Sequence, residues 1–163
     1  MNIFFSKYKW YFFLVLFSSC EATIKKDFIL PYGFRGEVAI IYEYPGGQDK
    51  TVKEGRQQFE IPDSGVIFIK SSNEFGHIDY RFFIKDKNGS LNELYAYSFQ
   101  NDEEKKLYVY NERVETMVCA AANNKSAGYV YELFTVGKQT DSIANKNSFL
   151  FEKRLKRLFG CQE

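Results

Sequence analysis

The single histidine of the chain, His77, lies three residues after Glu74 and two before Asp79. A histidine beside carboxylates can serve as a general base or a metal ligand, because its ring titrates near neutrality. A structural zinc site needs four ligands, and no Cys/His cluster supplies the others. His77 therefore reads as a loop or strand-end residue. Asn101, Asp102, Glu103 and Glu104 could hold calcium loosely, but they lack the ordered spacing and the glycine of a calcium loop. They read as a solvated acidic loop. No Gly-x-Ser-x-Gly, phosphate-binding loop or His-Glu-x-x-His occurs, and a serine triad would depend on His77 without local support. Neither a metal nor a cofactor is expected. Asn88-Gly89-Ser90 and Asn124-Lys125-Ser126 match the glycosylation acceptor pattern, but both read as turns. Tyr95, Tyr97, Phe99, Tyr108 and Tyr110 could line a groove for a sugar or a peptide. Core packing and sheet surface explain the same residues more simply.

Three cysteines carry the remaining chemistry. Ahead of Cys20 stand Lys7 and Lys9, an apolar run over residues 10–17, and then Ser18-Ser19. This is the three-part pattern of a secretory signal, and the apolar run is too short to span a bilayer. Phe17-Ser18-Ser19-Cys20 also resembles the bacterial lipobox, in which the chain is cut before Cys and the thiol takes a lipid. Phe17 stands where Leu is usual. Residues 1–19 are thus expected to be a lipoprotein signal peptide, with Cys20 the lipid-bearing residue and palmitate among its acyl chains. Two or three acyl chains anchor a protein stably. Cys119 and Cys161 remain, and outside the cytoplasm two leftover thiols often pair. A Cys119–Cys161 disulfide and two separate buried thiols are both open. Residues 1–19 carry two lysines and no acid, so their removal takes the formal charge from +1 to about −1. That balance lacks the basic excess of a nucleic-acid footprint.

The elements that would position these residues are mostly strands. The chain is rich in Tyr and Phe and poor in Pro, a composition that favours sheets. Period-two alternation marks residues 37–44, where Val38, Ile40, Tyr42 and Tyr44 share a face. It recurs over 79–85 and 91–99, with further strand candidates at 57–61, 66–70, 106–110, 113–120 and 129–136. Tyr44-Pro45-Gly46-Gly47 suits a type II turn and Pro62-Asp63-Ser64-Gly65 a type I turn. Asn88-Gly89 predicts a type I′ hairpin that pairs 80–87 with 90–97. Residues 20–27 read as a lipidated tether and 28–163 as one domain. After Ser148, a candidate N-cap, the residues Phe151, Leu155, Leu158 and Phe159 fall on one face of a helix. Lys153, Arg154, Lys156 and Arg157 fill the rest of it. That apolar face is expected to pack on the sheet rather than on a membrane.

Some of these segments also carry a resemblance. Pro31-Tyr32-Gly33-Phe34-Arg35-Gly36, Ile61-Pro62-Asp63-Ser64-Gly65 and Phe134-Thr135-Val136-Gly137 resemble the motifs of a bacterial domain-of-unknown-function family common among lipoproteins. Those motifs are a Pro-x-Gly-aromatic-x-Gly opening, an Ile-Pro-x-x-Gly turn and a Phe-x-Val-Gly strand end. The resemblance spans about residues 28–140 and implies no activity. Physically, Gly33, Gly36 and Gly65 read as turn residues.

The expected fold is mainly β, an antiparallel β-sandwich closed by a C-terminal α-helix. The expected function is that of a membrane-anchored lipoprotein of the cell envelope with a non-enzymatic binding or scaffolding domain. Its partners would be the membrane, through the lipid, and an envelope protein, glycan or peptide. The alternatives are an envelope-polymer hydrolase, which would need His77 or a carboxylate pair in a pocket, and an inhibitor or immunity-type lipoprotein.

Overall fold

The computed structural model describes residues 23–96, 106–120, 126–138 and 148–159, without the side chains of 111, 118–120, 126–127 and 148–152. Nine strands form β1(Ile24–Leu30), β2(Gly36–Ile41), β3(Thr51–Lys53), β4(Arg56–Glu60), β5(Val66–Phe68), β6(Ile78–Lys85), β7(Leu91–Ala96), β8(Tyr108–Ala120) and β9(Ser126–Gly137), followed by helix α1(Ser148–Leu158). They make one sheet in the order β3-β4-β1-β6-β7-β8-β9-β2-β5, curled into a half-barrel. No helix among the described residues is long and apolar enough to cross a membrane.

The mainly β expectation stands, but the antiparallel sandwich gives way to this mixed sheet. β1 runs parallel to both β4 and β6, β2 parallel to β5, and β7 parallel to β8. Side-chain alternation has the same period in parallel and antiparallel strands, so it cannot report strand direction. β1 also takes Ile24–Asp27 from the stretch expected to be tether. It is buried from Lys26 to Leu30, as befits a strand flanked on both sides by parallel neighbours.

Curling brings the two halves of the sheet face to face. Phe28 and Leu30 of β1, Phe59 of β4, and Phe82 and Ile84 of β6 point inward from one half. Val38, Ile40 and Tyr42, on and just past β2, and Phe134 and Val136 of β9 meet them from the other. The Phe28 and Phe134 ring centroids are 5.1 Å apart, and those of Phe82 and Phe134 5.0 Å. The outer face of the β2/β9/β5 half is apolar too, with Ala39, Ile41, Leu133 and Tyr131 buried. α1 covers it. Leu155 is buried there and Phe159 stacks on Tyr129 at 4.5 Å. Leu158 is 59% exposed, so the expected apolar face reaches the sheet only in part. The Phe151 side chain lies outside the described residues.

The β6–β7 hairpin forms where Asn88-Gly89 predicts it, with Lys85 opposite Leu91. Its turn is not type I′, because only Gly89 has positive φ, at 85°. Gly89 N donates to Asp86 O and Asp86 N to Ser90 O, while the Asp86 carboxylate accepts from the amides of Asn88 and Ser90. A type I turn with a left-handed glycine is held by the aspartate side chain. At residues 44–47 Gly47 N donates to Tyr44 O. Gly46 is not at positive φ, so the turn expected to be type II is not of that type.

Candidate functional site

Alternation on β9 sends Glu132, Phe134 and Val136 inward, so one carboxylate points into the apolar interior. The register places Glu132 opposite Ile40, and Tyr42 follows on the same face. Across the curled interior, β1 and β6 place Lys26 opposite Tyr80. The four residues meet as a clasp between the two halves. Lys26 Nζ donates to Glu132 Oε1 at 2.6 Å, Asn73 Oδ1 at 2.8 Å and the Tyr42 hydroxyl at 3.2 Å. The Tyr42 hydroxyl donates to Glu132 Oε2 at 2.5 Å and the Tyr80 hydroxyl to Glu132 Oε1 at 3.0 Å. Lys26 is 0% exposed and Glu132 2%.

Burial pulls the Lys26 ammonium below its ordinary value, against the opposing pull of Glu132. Burial, reinforced by the Glu132 carboxylate, pushes the Tyr42 and Tyr80 hydroxyls well above theirs. The Lys26 ammonium is saturated: it has three donors, and Glu132, Asn73 and Tyr42 take all three. The Asn73 amide nitrogen is left without a partner among the described residues, and Tyr80 also bonds to Glu112. The Lys26 amine is closed off from solvent. The cluster binds the halves of the sheet to each other.

On the outer face of β1, Asp27 is buried and accepts from Arg56 Nε at 2.5 Å and from Arg81 Nε and Nη2 at 2.9 and 2.8 Å. Arg56 reaches on to Asp79 at 2.6 Å. Burial opposes ionisation of Asp27, but the hydrogen bonds from Arg81 and Arg56 outweigh it and hold the carboxyl below its ordinary value. A carboxyl with a depressed folded-state pKa adds stability above its unfolded value. That stability is lost as pH falls through the folded one. Asp27→Asn should therefore lower stability at pH 7 and flatten the acid side of the stability curve below about pH 4. Denaturant midpoints measured from pH 7 down to pH 3 check this. An unchanged acid slope would remove Asp27 from the account.

The residues with chemical promise in the sequence do not converge. His77 is exposed. Its carboxylate neighbours go to cations elsewhere, Asp79 to Arg56 and Glu74 to Lys50 at 3.0 Å. No group of three or more His, Cys, Asp or Glu among the described residues could hold a metal. Tyr108 is buried and Tyr95 is more than half exposed, so the two do not share an accessible groove. Tyr97, Phe99 and residues 101–104 lie outside the described residues, as do Cys20 and Cys161. Only the backbone of Cys119 is described, on β8 opposite Ala127, so the Cys119–Cys161 pairing also falls outside them. An open pocket of about 340 Å³ lies between Gly46–Gln48, Glu60 at the end of β4, Pro62 after it, and Ile67 and Phe68 of β5. Its lining offers one carboxylate, Glu60, which pairs with Lys85, and no nucleophile beside a base.

The comparisons fit this picture. A family model described as "Family of unknown function (DUF6843)" matches residues 22–145. The chain belongs to the DUF6843 family. This agrees with the resemblance to a domain-of-unknown-function family at that general level. No curated protein matches. A crystal structure described as "Putative Lipoprotein from Bacillus anthracis" resembles this DUF6843 chain with a TM-score of 0.57 at 13% identity, over 85% of this chain and 94% of that one. At that identity the likeness is one of fold.

Sequence reasoning missed the clasp. Its signal was Glu132, the one charge on the inward-facing parity of an otherwise apolar strand, but a charge finds its partner through the fold. Lys26 and Asp27 fell in a stretch whose charge resembled a linker.

Proposed function

We propose that this chain is a cell-envelope lipoprotein, acylated at Cys20, whose curled β domain binds or scaffolds a partner outside the cytoplasm. The observation that carries the proposal is the lysine-flanked apolar run ending in Ser18-Ser19-Cys20, directly ahead of β1. The fold shared with a structure described as a lipoprotein supports it. The non-enzymatic reading is supported by the enclosure of the Lys26 ammonium in the clasp and by the separate ion pairs that Glu74 and Asp79 make away from His77. The partner is an envelope protein, glycan or peptide.

In a bacterial host fed an alkyne fatty acid, the native chain should incorporate the label and enter the detergent phase. Cys20→Ala should lose both properties and the cut before position 20. Labelling of Cys20→Ala, or its cleavage at the same bond, would overturn the proposal.

A further inference from the structure

We propose that Phe75 docks on the lipid surface beside the anchor, so that the Ile24 end of the domain stands against the membrane; this rests on the acylation of Cys20. Phe75 is 74% exposed and lies in the connection from β5 to β6. That connection sits where β1 begins. Ile24 N donates to His77 O at 2.9 Å, and a Cβ on Gly76 would lie 3.6 Å from Ile24 Cδ1. From Cys20 to Ile24 the backbone takes four steps, about 14 Å when fully extended. An anchored Cys20 therefore holds Phe75 within reach of the headgroups.

The loop presents this ring by construction. Asn73 is buried and bonded to Lys26, Glu74 is tied to Lys50 and Gln57, and His77 is tied to Ile24. Gly76, at φ 145°, turns the chain between them. With residues on both sides fixed, Phe75 cannot fold back onto the core. Aromatic rings settle at membrane interfaces. A tether supplies the local concentration that one apolar contact lacks by itself. Lys50 and Glu74 pair with each other beside it, so the contact that Phe75 itself makes is apolar.

The single tryptophan, Trp10, lies in the segment removed with the signal. Phe75→Trp in the full chain therefore gives a mature protein with one indole. The processed protein is placed in phosphatidylcholine vesicles, with and without brominated acyl chains, and its acrylamide quenching is compared with that of free N-acetyltryptophanamide. Quenching by brominated lipid, with acrylamide quenching reduced several-fold, is the expected result. Flotation and intact mass are read on the same sample. Acylated, floating protein whose indole remains open to acrylamide overturns the docking alone. An indole shielded from acrylamide yet untouched by bromine points to a protein contact and also overturns it. Protein without an acyl chain overturns the lipoprotein reading and the docking together.

Discussion

Lys26→Met should lower the unfolding free energy by about 3–5 kcal/mol, the range for breaking a buried ion pair by removing one partner. The substitution keeps most of the length of the side chain and leaves Glu132, 2% exposed, without its ammonium. Domains are stable by only about 5–15 kcal/mol, so the variant should sit near its unfolding midpoint in mild urea. The double replacement Lys26→Met with Glu132→Leu tests the cause. Exchanging both charges for apolar groups is often close to neutral, though here Tyr42 would lose its acceptor and Tyr80 one of two carboxylate partners. The double variant should therefore be less destabilised than the sum of the singles, by about 0.5–3 kcal/mol of coupling. Urea denaturation followed by far-UV circular dichroism reads this. Strict additivity would mean that the two residues do not act as a pair.

Gly65→Ala should be nearly as damaging for a different reason. Gly65 closes the turn after Pro62, with Gly65 N donating to Pro62 O, and its φ is 75°. A left-handed backbone costs a residue with a Cβ about 1–2 kcal/mol. Here the Cβ would also stand 2.4 Å from Glu37 O, backbone that cannot rotate away. Overpacking of this kind adds about 1–3 kcal/mol, so we expect about 2–5 kcal/mol in total. Gly33 provides the control. It shares the positive φ, at 70°, but a Cβ there meets nothing within 4 Å. Gly33→Ala should cost about 1–2 kcal/mol by the backbone term alone. Equal denaturant midpoints for the two variants would refute the collision with Glu37.

These two positions also divide what the sequence could convey from what it could not. The turn at residues 62–65 was legible because Pro and Gly act locally. So was the alternation of β2, which made Val38, Ile40 and Tyr42 a single face. The β6–β7 hairpin was legible in place but not in type, because the Asp86 carboxylate chose the turn and the Asn-Gly pair alone did not reveal it. β1 was not legible. Its Lys26 and Asp27 are acceptable in a strand centre only because Glu132, 106 residues on, and Arg56, 29 residues on, meet them. Parallel pairing was hidden for a similar reason, since β1 finds β4 and β6 through long connections rather than through a turn. The candidate site lay almost entirely in this non-local part.

The position of β1 inside the sheet bears on how the domain responds to force. A pull directed along β1 from the chain ahead of Ile24 loads the strand lengthwise. Seven register positions shared with β6 and four shared with β4, all parallel, resist it. Such a load falls on the whole ladder in shear, so its bonds must yield together; a strand peeled from an edge, such as β3, would release them one by one. Resistance to force follows the unfolding rate rather than the equilibrium stability. A chain held from its N-terminal side is thus gripped by its sheet along one of the strands least able to peel away.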